Sequence, residues 1–245
     1  NRDTRVHAGG PRYWAFISYS HHDARAAAAL QRALETYRVP RRLVRRSTPL
    51  GAVPAYLRPI FRDRNELQAG ADLTATVREA LAASRYLIVL CSPNAAASAW
   101  VNREITEFKS MHGDTRVLAL IVAGEPFASR MAGREAEECL PESLRYSLAA
   151  DGQTRGAPLE PIAADLRSGG DGRRLAMLKL VAGMLGTGVD ELAHRDALRH
   201  ARHMAFIAAA AIAGMAVTSV LTITAIRART EARLQHAQAE DLLEF

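Results

Sequence analysis

Short apolar runs alternate with amphipathic stretches along the first 185 residues of this chain, a pattern that predicts a parallel sheet with helices on both faces. The run Tyr13-Trp14-Ala15-Phe16-Ile17-Ser18-Tyr19 predicts a first strand that stops in Ser20-His21-His22-Asp23. Asp23 is placed to cap a helix from Ala24 to about Tyr37, with Leu30, Leu34 and Tyr37 on one face. Ile60-Phe61-Arg62 predicts a second strand ending at Asp63, and Arg64 to Asp72 a polar loop turning at Gly70. A helix from Leu73 to Ser84 follows. Tyr86 to Leu90 is continuously apolar, as a strand buried on both faces should be, and Ser92-Pro93-Asn94 breaks it. This is the expected central strand. A helix carrying Trp100 and Glu104 runs to about Met111, Val117 to Val122 predicts a fourth strand, and Ile162-Ala163-Ala164 a fifth. The last helix, Arg173 to about Leu185, puts Leu175, Leu178, Ala182 and Leu185 on one face and stops at Gly186-Thr187-Gly188. Two irregular connections remain, one around Pro126, Pro141 and Pro158, the other from Arg38 to Pro59. The second carries Arg41, Arg42, Arg45 and Arg46, which read either as a solvated loop or as a contact for anionic headgroups or a phosphate-bearing ligand.

The pattern changes after the last helix. From Met204 to Ile226 no charge occurs, a length that spans a hydrocarbon core at about 1.5 Å per helical residue. Arg199, Arg202, Arg227 and Arg229 bracket it. The stretch reads as a single membrane span, or, being rich in alanine, as a long buried helix. Ala210, Gly214 and Thr218 lie four apart on one face, the spacing at which two helices approach closely, though alanine-rich spans offer such spacings by chance. Residues 227–245 continue as a polar helical linker toward a region beyond Phe245. The organisation expected is a tail at 1–12, a globular domain at 13–196, a juxtamembrane segment at 197–203, the span at 204–226 and the linker at 227–245.

Net charge of +6 invites a nucleic-acid reading, but lysine occurs only at Lys109 and Lys179, and an arginine- and alanine-heavy chain is what a GC-rich genome encodes. No specific nucleic-acid partner is expected. Cys91 and Cys139 lack metal-ligand spacing and read as reduced structural thiols.

The predicted order of strands is flavodoxin-like, and ligands of such doubly wound sheets bind outside the carboxyl ends of the strands. Ser20, His21, Asp63, Ser92 and the start of the Trp100 helix all emerge there. Dinucleotide-fold, P-loop, serine-hydrolase and zinc-protease motifs are missing, and no metal site is expected. The ends of the first and third strands, Ser18-Tyr19-Ser20 and Cys91-Ser92, also lack the clustered acids of a phospho-receiver. In the Trp100 helix, by contrast, Trp100, Glu104 and Phe108 fall on one stripe, which sets a carboxylate between two aromatics. A surface glutamate paired with Arg103 is the plain alternative.

Phe16-Ile17-Ser18-Tyr19, Phe61-Arg62-Asp63 with a loop through Gly70, Leu90-Cys91-Ser92-Pro93 and Trp100-Val101-Asn102-Arg103-Glu104 stand in an order and spacing that resembles a bacterial Toll/interleukin-1 receptor (TIR) domain. The likeness runs from about Tyr13 to Asp196. It implies an α/β five-stranded parallel sheet, followed here by the transmembrane helix, and one of two activities, assembly as a signalling scaffold or cleavage of NAD+. Glu104 matches the essential glutamate of the cleaving members, and Trp100 the tryptophan before it. Arg64 to Asp72 matches the loop that packs against a neighbouring protomer, so self-association becomes the expected switch. Some relatives carry arginines after the first motif to meet the diphosphate, whereas this chain has Ser20, His21 and His22. Substrate contacts are therefore expected from Ser18, Tyr19, Ser20, His21, Trp100, Arg62, Asp63 and Arg64. NAD+ is the substrate and no cofactor is implied. Product could be linear or cyclic ADP-ribose. The expected setting is a bacterial inner membrane, crossed once, with the TIR domain in the cytoplasm and a role in defence or signalling.

Overall fold

The structure, a computed structural model, describes residues 11–48, 51–62, 73–149 and 155–192 and, further on, 208, 209, 211, 212, 214, 215 and 218. Five parallel strands form the sheet: β1 (Tyr13–Ser18), β2 (Ile60–Arg62), β3 (Ser84–Cys91), β4 (Val117–Ile121) and β5 (Ala163–Asp165). Their spatial order is β2-β1-β3-β4-β5, the flavodoxin-like order that the alternation predicts. Register is set by pairs such as Phe16 with Phe61, Ile17 with Ile88 and Leu90 with Leu120.

Among the described residues, four helices of ten residues or more cover the sheet: α1 (Ala24–Thr36), α2 (Leu73–Ala82), α3 (Ala99–His112) and α4 (Gly172–Leu185). Leu30 and Leu34 of α1 and Leu178, Val181 and Leu185 of α4 pack with Ala15, Ile17 and Tyr19 of β1 on one face. On the other, Val77 and Leu81 of α2 and Val101, Ile105 and Phe108 of α3 pack with Phe16, Leu87 and Val89. Alternate residues of β1 thus feed opposite cores, the period-two rule of a strand buried on both sides. Gly186 ends α4 in the left-handed conformation, φ 62°, as the glycine cluster predicts.

Several expectations change. Asp23 precedes α1, but its side chain makes no capping bond; it accepts instead from the Ser92 hydroxyl across the sheet edge. Leu175 is 38% exposed, and the buried face of α4 is broader, taking in Ala176, Leu180 and Met184. Ser84 starts β3 rather than ending α2. The connection from Arg38 to Pro59 keeps its arginines exposed but is anchored by its apolar residues: Val39, Leu43, Val53 and Leu57 are buried, and Ser47–Thr48 pairs with Gly51–Ala52. Its Arg42 and Arg46 pair with Glu191, and Arg42 also donates to the Glu191 carbonyl. The irregular region after β4 holds a short hairpin, Tyr146–Leu148 with Arg155–Pro158.

The chain divides into two compact units, Asn1–Ala193 and His194–Phe245. In the second unit the described residues are helical, with Ile212 and Met215 exposed and the Thr218 hydroxyl donating to the carbonyls of Gly214 and Met215. Among the described residues no helix is long and apolar enough to cross a membrane. Most of the predicted span at 204–226, including Ala210, and the whole linker lie outside the described residues.

Candidate active site

β1 and α3 bring the site together. Ser18, the last residue of β1, shares the side of the strand occupied by Phe16 and so faces α3. The start of α3 is fixed from several directions. Ser98 caps it, its hydroxyl accepting from the Val101 amide. Asn102 donates to the Ala96 and Ser98 carbonyls and accepts from the Ser143 amide at 2.9 Å, which ties the helix to the following loop. Val101, Ile105 and Phe108 hold its inner face in the core.

Glu104 projects from this helix and is 3% exposed. Its Oε2 accepts from the Ser18 hydroxyl at 2.5 Å, and its Oε1 from the indole Nε1 of Trp100 at 2.6 Å. The Trp100 bond is the i, i+4 contact that the helical stripe predicts. The Ser18 bond joins residues 86 apart in sequence. A carboxylate held by two donors among apolar side chains is oriented, and its charge acts through a low dielectric, where it matters far more than at a wet surface.

The remaining predicted contacts fall in different places. Ser20 is buried just beyond β1, and its Oγ lies 3.4 Å from His22 Nδ1. His21 and His22 form an exposed turn with ring centroids 3.7 Å apart. Tyr19 packs into the core on the α1 and α4 side, the face of the sheet opposite Glu104. Arg62 lies on the edge strand, where its Nε donates to Gln31 of α1 at 2.9 Å. Asp63 and Arg64 lie outside the described residues, as does the rest of the loop to Asp72. Ser18, Trp100 and Glu104 thus meet, Ser20 and His21 follow on the next turn, and Tyr19 and Arg62 point elsewhere.

Other polar positions carry structure that the sequence did not announce. Ser92 Oγ donates to Asp23 Oδ2 at 2.6 Å while accepting from the Ala95 amide, linking the turn after β1 to the end of β3. Serine before proline at the head of a helical turn was a readable cap signal; its tie to Asp23, 69 residues away, was not. Beyond β5, Arg167 forks onto Asp165, holding that carboxyl below its usual range, and reaches Glu125 at 2.6 Å. Lys109 is buried against Asp114 and the Tyr146 carbonyl. Cys91 and Cys139 are free and buried. Burial pushes both thiols up, that of Cys139 to about 12, which makes them poor nucleophiles. Among the described residues no cluster of His, Cys, Asp or Glu could hold a metal ion.

The chain is similar to the TIR domains in the structure of the activated Roq1 resistosome directly recognizing the pathogen effector XopQ, at 22% identity and a TM-score of 0.37 over 51% of this chain and 66% of that one. It is 36% identical over 196 residues to the NAD(+) hydrolase ApTIR of Actinoplanes sp., a match covering 77% of this chain. The chain spans about a quarter of that relative's length, 25%. Residues 15–137 match the family model described as TIR domain. With a parallel five-stranded sheet in the expected order and half of its length matched by that model, the chain belongs to the TIR domain family.

Proposed function

We propose that the chain is a TIR-domain NAD+ nucleosidase that breaks the nicotinamide–ribose bond with Glu104 as its catalytic carboxylate. One observation carries the reading: Glu104 is buried and held at both oxygens by Ser18 and Trp100, not solvated on the helix surface. The similarity to an NAD(+) hydrolase points to the same substrate. Nicotinamide leaves NAD+ as an already cationic group, so its departure needs no general acid, and positive charge develops on the ribose instead. A fixed carboxylate at Glu104 stabilises that charge, as carboxylates do in glycoside hydrolysis. Water then captures the sugar to give ADP-ribose, or the adenine of the same molecule captures it to give a cyclic form. NAD+ enters as substrate and no further cofactor takes part.

Ser18 acts in this scheme by orienting the carboxylate, and Ser20 with the His21–His22 turn meets the phosphates. Asp63 and Arg64 complete the proposed substrate contacts, and the loop from Arg64 to Asp72 serves assembly of protomers. We further propose that 204–226 crosses a bacterial inner membrane once, with the TIR domain on the cytoplasmic side. Self-association, aided by the Ala210, Gly214 and Thr218 face, raises local density and turns the enzyme on in defence or signalling.

The test is NAD+ consumption and nicotinamide release by the whole chain, reconstituted in bilayers at high density, compared with Glu104→Ala and Glu104→Gln. Loss of activity in both variants with retained folding supports the reading. An inert wild type under clustering, or variants as fast as wild type, would leave a non-catalytic TIR adaptor as the better description.

A further inference from the structure

The connection between α1 and β2 lies at the amino edge of the sheet, because α1 returns from the carboxyl end of β1 and β2 runs parallel to β1. Glu104 and Ser18 sit at the opposite, carboxyl edge. From Tyr37 to Arg62 the sequence contains no acidic residue. Arg38, Arg41, Arg42, Arg45, Arg46 and Arg58 are all exposed. These arginines are not on a loose loop. Val39, Leu43, Val53 and Leu57 root the segment in the core, and its backbone closes on itself through Val39 to Ala55, Arg45 to Val53 and Val53 to Arg46. Among the described residues, the ion pairs of this lobe run to Glu191 alone, at 3.6 and 3.8 Å from Arg42 and Arg46. Pairs so exposed contribute little and leave a strong positive field.

Glu191 also marks where the domain ends. α4 runs back from the carboxyl edge, and Leu192, the last described residue of this unit, is buried in its core. Glu191, which Arg42 and Arg46 meet, stands thirteen residues in sequence before the uncharged stretch that begins at Met204. Tyr56, the one aromatic residue from 38 to 58, already lies 4.7 Å beneath the Arg58 guanidinium, so the lobe offers no stacking platform for bases. We propose that the lobe at residues 38–58 is a docking surface for anionic lipid headgroups, seating the amino edge of the sheet on the membrane and leaving the Glu104 edge facing away from it. The proposal rests on the reading of 204–226 as a membrane span.

The experiment uses the whole chain in nanodiscs of phosphatidylcholine alone or with phosphatidylglycerol. Ser47→Cys, at an exposed position of the lobe, carries a fluorophore, and Cys91 and Cys139 are too buried to compete for it. Headgroup-nitroxide lipids report proximity by quenching. Strong quenching in the anionic discs, weak quenching in the neutral ones and loss of the difference at high salt are expected. Each cationic side chain near such a surface strengthens docking about fivefold, so replacing Arg38, Arg41 and Arg45 by Gln weakens it on the order of 10²-fold. An equal loss of charge at Arg130, Arg134 and Arg155 should change nothing. Quenching that ignores lipid charge, or two triple variants that behave alike, overturns the docking surface. Duplex DNA that displaces the lobe from anionic discs at equal phosphate concentration does so as well, by pointing to nucleic acid. Extraction by alkaline carbonate is scored separately: a chain that washes out refutes the span, whatever the quenching shows.

Discussion

Two buried glutamates on this domain are built in opposite ways. Glu138 is 7% exposed and held by its own loop: its Oε1 accepts from the amides of Phe127 and Leu140, its Oε2 from the amide and hydroxyl of Ser129, and Arg145 stands 3.6 Å away. Glu104 is buried as deeply, and among its partners are two side chains, Ser18 from a strand end and Trp100 from its own helix. Backbone amides and a guanidinium knot a loop together, so disturbing them is expected to cost stability. Side-chain donors orient a carboxylate at the mouth of a sheet, where ligands of this architecture bind. Burial alone does not separate the two carboxylates; on the proposed reading of Glu104, the side-chain origin of its Ser18 and Trp100 donors does.

The sharpest test exchanges the two charges for amides. Glu104→Gln is expected to lower NAD+ cleavage by at least roughly 10²-fold while thermal unfolding changes little. Glu138→Gln should do the reverse, costing about 3 kcal/mol in urea unfolding and leaving turnover per folded molecule intact. Matching phenotypes at the two sites would erase the contrast.

Acid adds a second axis. Burial works against the Glu138 charge, but the bonds from Ser129, from the Leu140 amide and from Arg145 outweigh it and hold the carboxyl below its ordinary range. The unfolded chain therefore takes up the proton first. Its stabilising contribution is complete above the unfolded value, about 4.3, and disappears as pH falls through the lower folded one. Unfolding midpoints of wild type and Glu138→Gln should converge as pH is lowered toward that point. A gap that stays constant would mean that packing, not charge, accounts for the difference.

Removing the Glu104 donors is expected to have a middling effect. Ser18→Ala and Trp100→Phe each delete one hydrogen bond to a charged group, which corresponds to about tenfold to a hundredfold in rate. The loss should fall on kcat, since these residues aim the carboxylate and the substrate's remaining contacts persist. An equal rise in KM with kcat unchanged would mark them as substrate contacts instead.

Much of this was readable in advance, and the unreadable part has a common cause. The alternation of apolar runs carried the five strands and, through the winding of such sheets, their order, and the stripe of Trp100, Glu104 and Phe108 carried the Trp100–Glu104 bond, because each strand and that bond depend on local periodicity. Ser18 with Glu104, Asp23 with Ser92 and the loop knot around Glu138 join residues that only the finished fold brings together. Tyr19 shows the converse. It sits beside Ser18 in sequence, yet strand alternation sends it to the other core. The segment from Arg38 to Pro59 looked like solvated loop because its prolines and arginines hide four well-spaced anchors, Val39, Leu43, Val53 and Leu57.

Asp23 provides the smallest and most discriminating effect, because it lies between the two designs. Like Glu104 it sits at the carboxyl edge and accepts from one side-chain hydroxyl, Ser92 Oγ at 2.6 Å; unlike Glu104 it is only half-buried. Ser92→Ala removes that donor together with the cap on the Ala95 amide, and a lost cap costs about 1 kcal/mol. If the origin of the donors is what matters, the variant should also slow NAD+ cleavage severalfold, since the Ser20-His21-His22 turn loses its tie to β3. Ser92→Thr keeps both bonds and should restore the rate. A variant that loses stability but not rate would place Asp23 with Glu138 as a structural carboxylate, and would confine the site to Ser18, Trp100 and Glu104.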